Sequence, residues 1–260
     1  MSGIIERHVD RLAGATWRRV DDRIVEEVPL EIRLEGTPLA VVMRTPGHDA
    51  DLILGFALTE GILLGPDELG SLEEAGENRW NMRLAEGVSV DPARFQRNFY
   101  STSSCGVCGK ASIDAIRIAA GPLNSDLRLS TEVLAGLPDA MRAGQVNFEE
   151  TGGIHAAAAV TVTGELIDLR EDVGRHNAVD KLVGALAPDR WRFDDLILFV
   201  SGRMSFEVVQ KAAVAGFPLL CGISAASSLA VELGEELGMT LVGFVRDGGC
   251  TVYCGRQRIE

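Results

Sequence analysis

The sequence predicts an α/β protein, with a C-terminal α/β part on a parallel or mixed sheet and a smaller N-terminal part of mixed α/β character. Three observations carry this. In the second half, short apolar runs over 196–200, 218–223 and 240–245 alternate with helical patterns over 205–215 and 228–237. Alternation at that spacing marks βαβ units. Near the N-terminus, two β-patterned runs flank a turn signal and lead into a helical pattern. With 260 residues, the chain has room for one large domain or two small ones.

Taken in order, residues 1–22 read as a polar arm. Runs over 28–34 and 38–43 form a predicted hairpin about Glu35-Gly36-Thr37. Thr45-Pro46-Gly47-His48-Asp49 breaks the strand, and a helix is expected over 50–59, with Leu52 and Phe56 on one stripe and Gly61 beyond its end. Short elements are expected around 81–84 and 95–100. A helix over 110–120 is stopped by Gly121-Pro122, and the junction 121–150 holds one helix near 131–141. Runs over 155–162 and 165–169 read as a hairpin about Thr163-Gly164. A helix over 177–186 follows, with Asn177 as its N-cap, and a final strand is expected near 251–253. The expected boundaries are 1–22 for the arm, 23–125 for the N-terminal subdomain and 126–260 for the C-terminal domain. No repeat or low-complexity tract interrupts them.

Charge excludes some functions. With 25 Lys and Arg against 38 Asp and Glu, the formal net charge is −13. Nucleic acid and anionic membrane need a basic face, so neither is an expected partner. A phosphate-bearing ligand must be caught by local loops. The first residues are charged throughout and lack an apolar core with a cleavage site, and no run approaches the ~18 apolar residues of a membrane helix. The expectation is a soluble, cytoplasmic protein. Its five cysteines, an odd number, argue against a disulfide framework and for chemistry or burial.

The sharpest chemical signal is Ser104-Cys105-Gly-Val-Cys108-Gly-Lys110, ahead of a helical pattern. Helix N–H groups, the positive end of the helix dipole and Lys110 all favour thiolate over thiol. Three readings stand: an incidental pair, half of a zinc site, or thiol chemistry by disulfide exchange or sulfur relay. The only other close cysteine pair, Cys250 and Cys254, has C-x3-C spacing and does not repeat the C-x2-C pattern; thiol chemistry is favoured and no metal is expected.

Arg175 and His176 lie where a loop enters a helix, which suits an anion or a polar ring, although a solvated capped turn has the same pattern. His155, heading an apolar run, reads as a satisfied core histidine. Loops follow three successive strands: Ser201-Gly202-Arg203-Met204-Ser205, Ser224-Ala-Ala-Ser-Ser228 and Arg246-Asp247-Gly248-Gly249. If the strands are parallel, all three loops emerge at one sheet edge, where glycines, hydroxyls and arginines suit a nucleotide-like ligand. Met204, Phe206 and Phe217 read as core.

At Cys105-Gly-Val-Cys108-Gly-Lys110 and Asp172-Val-Gly-Arg175-His176-Asn-Ala-Val-Asp-Lys181, the sequence resembles the formate dehydrogenase accessory sulfurtransferase family, FdhD. Arg44-Thr-Pro-Gly-His-Asp49, Leu54-Gly-Phe56, Thr59-Glu-Gly61, Ser201-Gly-Arg-Met204 and Gly243-Phe-Val-Arg246 extend the match in order from about residue 27 to the C-terminus. The resemblance implies a sulfurtransferase with a cysteine persulfide intermediate. Cys105 would carry sulfur taken from a cysteine desulfurase, with Cys108 as partner thiol. The acceptor would be the molybdenum or tungsten bis-molybdopterin guanine dinucleotide, a bound substrate that later enters formate dehydrogenase. The family's cofactor segment matches Phe244-Val245-Arg246-Asp247-Gly248-Gly249, with Gly248-Gly249 where many members carry a further basic residue. Ser201, Gly202, Arg203, Arg175 and His176 would add contacts. The resemblance also implies a homodimer and a cytidine-deaminase-like C-terminal fold. Zinc deaminases, however, need His-x-Glu, and Gly153-Ile-His155-Ala-Ala157 lacks the glutamate. Two alternatives remain: a cofactor-binding chaperone without sulfur turnover, and a CxxC disulfide oxidoreductase.

Overall fold

The computed structural model describes residues 3–91, 95 and 120–260. Cys105, Cys108, Lys110 and the helix expected over 110–120 lie outside the described residues, as does nearly all of the element expected over 95–100.

The N-terminal part begins with a correction. Residues 1–22 were expected to be a polar arm; instead β1 (Ile4–Ala13) and β2 (Thr16–Val25) pair as a long antiparallel hairpin. Ile5 opposes Ile24 and Val9 opposes Val20, with charged residues filling most other positions. Both faces are largely solvated, so the apolar alternation that announces a strand is diluted. The hairpin is tied to the body by an Arg23–Glu150 ion pair of 2.8 Å.

β3 (Val28–Leu34) and β4 (Thr37–Arg44) form the expected hairpin. Glu35 and Gly36 both have positive φ, 49° and 78°, as a two-residue hairpin turn requires. β5 (Leu69–Gly76) and β6 (Arg79–Leu84) complete a small sheet in the order β4-β3-β6-β5. β5 has no β-branched residue and pairs only with β6, so its local signal is weak. Helix α1 (Asp49–Thr59) then packs into the core, with Asp49 and Asp51 in its first turn favouring the helix dipole.

The C-terminal part holds α2 (Thr131–Gly144), α3 (Val146–Thr151), β7 (His155–Val160), β8 (Leu166–Asp172) and α4 (Arg175–Leu186). β9 (Ile197–Val200), α5 (Phe206–Ala215), β10 (Leu219–Gly222), α6 (Ser228–Glu236), β11 (Thr240–Arg246) and β12 (Gly249–Cys254) follow. The six strands form one sheet in the order β12-β11-β10-β9-β7-β8. β9, β10 and β11 run parallel, and the other neighbours are antiparallel. The expected α/β class, with a smaller N-terminal mixed part, is therefore observed.

The sheet is buried on both faces, and its side chains divide with period two. Ala157, Ala159, Leu198, Val200, Leu220 and Leu241 belong to one core cluster. Ala156, Ala158, Ile197, Phe199, Leu219, Cys221 and Val242 belong to the other. Leu134, Leu137 and Met141 of α2 cover the second face. The first core also takes in Leu30, Ile32, Leu52 and Phe56, so it crosses the expected 125/126 boundary. Met204 and Phe217 are fully buried and Phe206 nearly so, as expected of core residues.

Where the two parts meet, α1 and α4 touch backbone to backbone. A Cβ on Gly55 would lie 1.8 Å from the Asp180 carbonyl oxygen, and one on Gly184 would lie 1.8 Å from that of Asp51. Buried polar bonds lock the crossing. The Thr59 hydroxyl donates to Asp180 at 2.7 Å, and Lys211 Nζ reaches Asp180 at 2.9 Å and Glu60 at 2.8 Å. Burial opposes the Lys211 charge, but Asp180 and Glu60 outweigh it and hold the ammonium protonated.

Two stability outcomes follow from this contact. Gly184→Ala is expected to cost ~1–3 kcal/mol, because the added methyl has only backbone to displace. Lys211→Met is expected to cost ~3–5 kcal/mol, because it leaves a buried carboxylate uncompensated. Urea denaturation of both variants checks this; wild-type stability in either would show that the helices separate freely.

Candidate functional site at the sheet edge

The parallel order brings the expected loops to one edge. Residues 201–205 leave β9 and open α5, and 224–227 leave β10 and open α6. They are bonded together: Met204 N donates to Ala225 O and Ser227 N to Met204 O, each at 3.0 Å. Phe244 N donates to Ser224 O at 3.1 Å, which adds the end of β11.

The third loop departs from expectation. It is no βα loop but a two-residue hairpin turn into β12, with Asp247 and Gly248 at φ 53° and 72° and Arg246 paired with Gly249. Hence no helix N-terminus stands behind it. The pairing is irregular between Gly243 and Arg246, and Phe244 adopts φ 52° with its ring partly exposed. The Arg246 guanidinium lies 5.4 Å from that ring's centroid. Val245 points inward and is buried in the second core, so only its backbone faces the edge.

The other half of the edge comes from β7, β8 and α4. His155 at the head of β7 pairs across from Asp172 at the end of β8. The Asp172 carboxylate accepts from Gly174 N at 2.8 Å and from Thr45 N at 3.0 Å, and it pairs with Lys181 Nζ at 2.8 Å. These bonds shape the turn that delivers Arg175 and His176 to the first turn of α4. The expected N-cap is corrected here: Gly174 occupies that place and Asn177 lies inside the helix. The Asn177 Nδ2 donates instead to Asp172 at 3.0 Å and to Met43 O at 2.7 Å.

Gly202 is where the halves converge. A Cβ there would lie 3.2 Å from His155 Nδ1 and 3.3 Å from Arg175 Cβ. Ser201 Oγ accepts from Ala156 N at 2.9 Å, and His176 Nε2 lies 3.3 Å from Ser205 Oγ. Ser201, Gly202, Arg203, Arg175 and His176 thus share one edge with the Phe244–Gly249 segment. Arg175 Nε is buried without a hydrogen-bond partner among the described residues, an arrangement an anion would complete.

Both histidines here are held neutral. Burial is the main cause for His155, with Arg175 adding to it against Asp172. For His176, burial comes first, then Arg175 and Lys211, and its pKa falls from 6.5 to about 3. The core reading of His155 is corrected too, since this residue lines a cavity of about 610 Å³ together with Ser201. Lys211, Arg142 and Gln145 went unnoticed in the sequence. Lys211 carried a signal, a charge among Val and Ala in a helix, whereas Gln145 at a helix junction carried none.

The remaining described cysteines are packed or dispersed. Burial raises the Cys221 thiol, and Cys254 donates to Met239 O at 3.5 Å. Cys250 is exposed. Among the described residues, no helix is long and apolar enough to cross a membrane.

A sequence model of the FdhD/NarQ family matches residues 25–260. The chain belongs to the FdhD/NarQ family. Among its relatives, a protein of Streptomyces avermitilis named sulfur carrier protein FdhD is 50% identical, over 97% of this chain and 94% of that one. A Sulfolobus acidocaldarius protein of the same name is 44% identical over 92% of each chain. One from Mycobacterium tuberculosis is 42% identical over 97% of this chain and 96% of that one. The fold of this family member also matches a crystal structure, described as a candidate formate dehydrogenase accessory protein from Desulfotalea psychrophila. The TM-score is 0.80 with 21% identity and 99% coverage of both chains.

The neutral His176 sets a pH dependence. Below about pH 6.5 the unfolded chain protonates this ring, while the folded chain refuses the proton until about pH 3. The unfolded state thus binds more protons, and acid removes stability at up to ~1.4 kcal/mol per pH unit through that window. Denaturation curves at about pH 7 and pH 5 are expected to show a larger loss in wild type than in His176→Gln. An identical loss in both would mean that the ring ionises freely in the fold.

Proposed function

We propose that this chain is a sulfur carrier in the maturation of formate dehydrogenase. It accepts persulfide sulfur on Cys105 from a cysteine desulfurase and gives it to a molybdenum or tungsten bis-molybdopterin guanine dinucleotide. The observation that carries this reading is the near full-length likeness to proteins named sulfur carrier, in a chain that presents Cys105-x-x-Cys108.

The chemistry balances with two thiols. The Cys105 thiolate attacks the outer sulfur of the donor persulfide, and the donor's cysteine leaves as thiolate. Cys108 thiolate then attacks the Cys105 sulfur, forming a Cys105–Cys108 disulfide and expelling hydrosulfide to the metal of the cofactor. An external thiol reduces the disulfide and resets the carrier.

The edge supports the acceptor half of this reading. Diphosphate groups need N–H donors and fixed cations. Gly202 and the start of α5 supply the former, and Arg175, Arg203 and Arg246 supply the latter. With both histidines neutral, the positive charge there rests on guanidinium groups, which stay charged at every physiological pH. A homodimer and a cytoplasmic site of action complete the proposal.

Incubation with cysteine desulfurase and cysteine is expected to add the mass of one sulfur atom to Cys105. Cys105→Ala should gain none, fail to restore formate dehydrogenase in a deletion strain, and keep the wild-type melting temperature. Full restoration by that variant would end the carrier reading. For the acceptor half, calorimetry with GDP is expected to show Arg246→Ala weakened roughly tenfold through the loss of a charge-assisted hydrogen bond. Cys105→Ala should bind GDP as wild type does.

A further inference from the structure

The net charge argues against an anionic membrane for the chain as a whole, but the far end of the β1–β2 hairpin is locally the opposite. No acidic residue lies between Arg11 and Arg19, while Arg11, Arg18 and Arg19 cluster beside Leu12 and Trp17. Leu12 opposes Trp17 next to the Ala13–Thr16 pair that closes the turn, and the two side chains are 51% and 67% exposed. Every residue from 10 to 19 is exposed, so this end packs against no other part of the described chain. The body holds the hairpin near its other end, through the Arg23–Glu150 ion pair.

The cations surround the tip instead of lining one side of it. Successive cross-strand pairs point to opposite faces. Arg19 therefore shares a face with Leu12 and Trp17, and Arg11 and Arg18 occupy the other. Arg11 directly opposes Arg18, a like-charge pair that weakens a hairpin. Asp22 pairs with Arg11 at 3.1 Å, whereas Arg18 and Arg19 have no ion pair among the described residues. A groove in a protein partner reads one face of a hairpin. A flat anionic surface met end-on engages cations on both faces at once, with tryptophan and leucine at the level of the headgroups. Reach removes the remaining objection. At ~3.3 Å per residue, β2 carries Trp17 about 20 Å beyond Arg23, whereas the Debye length in physiological salt is about 8 Å. The acidic body thus stays more than two Debye lengths from the surface that the tip touches.

We propose that the hairpin tip is a reversible contact for anionic lipid bilayers. Leu12 and Trp17 enter the headgroup layer, and Arg11, Arg18 and Arg19 pair with lipid phosphates. Three arginines and two apolar side chains are too few for permanent attachment, so the contact is weak and salt-sensitive. The hairpin precedes nearly all of the region matched by the family model, residues 25–260, and takes no part in the sulfur chemistry.

Co-sedimentation of the full chain with vesicles tests this. Phosphatidylcholine vesicles with about 30 mol% phosphatidylglycerol are expected to hold wild type at least tenfold better than phosphatidylcholine alone, and to release it in about 0.5 M salt. Arg18→Glu is the decisive variant. It turns the Arg11–Arg18 clash into an opposite-charge pair, so the hairpin is kept while the tip loses its charge, and binding is expected to fall at least tenfold. Leu12→Ser combined with Trp17→Ser should lose a similar factor. Glu74→Lys, on exposed β5, makes the whole chain less acidic by as much as Arg18→Glu makes it more so, and should bind as wild type does. Trp17 emission, read as the difference between wild type and Trp17→Phe, should shift to shorter wavelength on the anionic vesicles. Wild type left in solution with those vesicles would overturn the proposal, as would Arg18→Glu binding undiminished. A gain in Glu74→Lys equal to the loss in Arg18→Glu would assign the effect to net charge and overturn it too. Self-association that Arg18→Glu abolishes, without vesicle binding by wild type, would give the tip to a second copy of the chain instead.

Discussion

The Asp172 carboxylate is the interaction on which the site depends. It is fully buried at the end of β8 and satisfied from several directions, by Thr45 N, Gly174 N, Asn177 Nδ2 and Lys181 Nζ. A buried carboxylate is tolerable only when paired and hydrogen-bonded in this way. Its partners come from the turn before α1, the turn before α4 and α4 itself. Lys181 Nζ also donates to Thr45 O at 2.8 Å, and Val173 N to Thr45 Oγ1 at 3.1 Å. One group of charges therefore sets how the N-terminal part meets the sheet and where Arg175 and His176 emerge.

Asp180, the residue before Lys181, binds a different partner set. It joins Thr59 and Lys211 and thus ties α4 to α1 and α5. With glycines at the α1–α4 crossing, the contact has almost no slack. A packed interior transmits small displacements instead of absorbing them. The edge loops accordingly sit on a rigid base.

The electrostatics of the edge run against those of the chain. A net charge of −13 repels polyanions in general, yet Arg175 and Arg203 follow strands β8 and β9, and Arg246 ends β11, in one sheet. The cationic character of this edge is therefore local and independent of the net charge. Desolvation near Arg175 keeps the two histidines uncharged, so they act as polar ring edges beside fixed cations.

Much of the fold was legible locally. The runs over 196–200, 218–223 and 240–245 are strands because continuous apolar residues suit a sheet buried on both faces; β9 and β10 lie within the first two, and β11 extends one residue past the third. The Ser and Gly residues after the first two runs correctly marked strand-to-helix loops. The sequence alone therefore determined the α/β class and the placing of Ser201, Arg203 and Arg246 at strand ends, while the shared edge rested on a parallel order that it left open. The N-terminal hairpin escaped because solvated strands bury little on either face, and β5 escaped because an edge strand needs few β-branched residues. Tertiary structure decided the rest. Asn177 looks like a cap until Asp172 claims its amide, and His155 looks like core until the sheet ends beside it. Gln145 and Arg142 share a cavity with His155 only because the α2–α3 junction is laid against the strand heads. Burial and unpaired donors are properties of neighbours distant in the chain, and no local pattern records them.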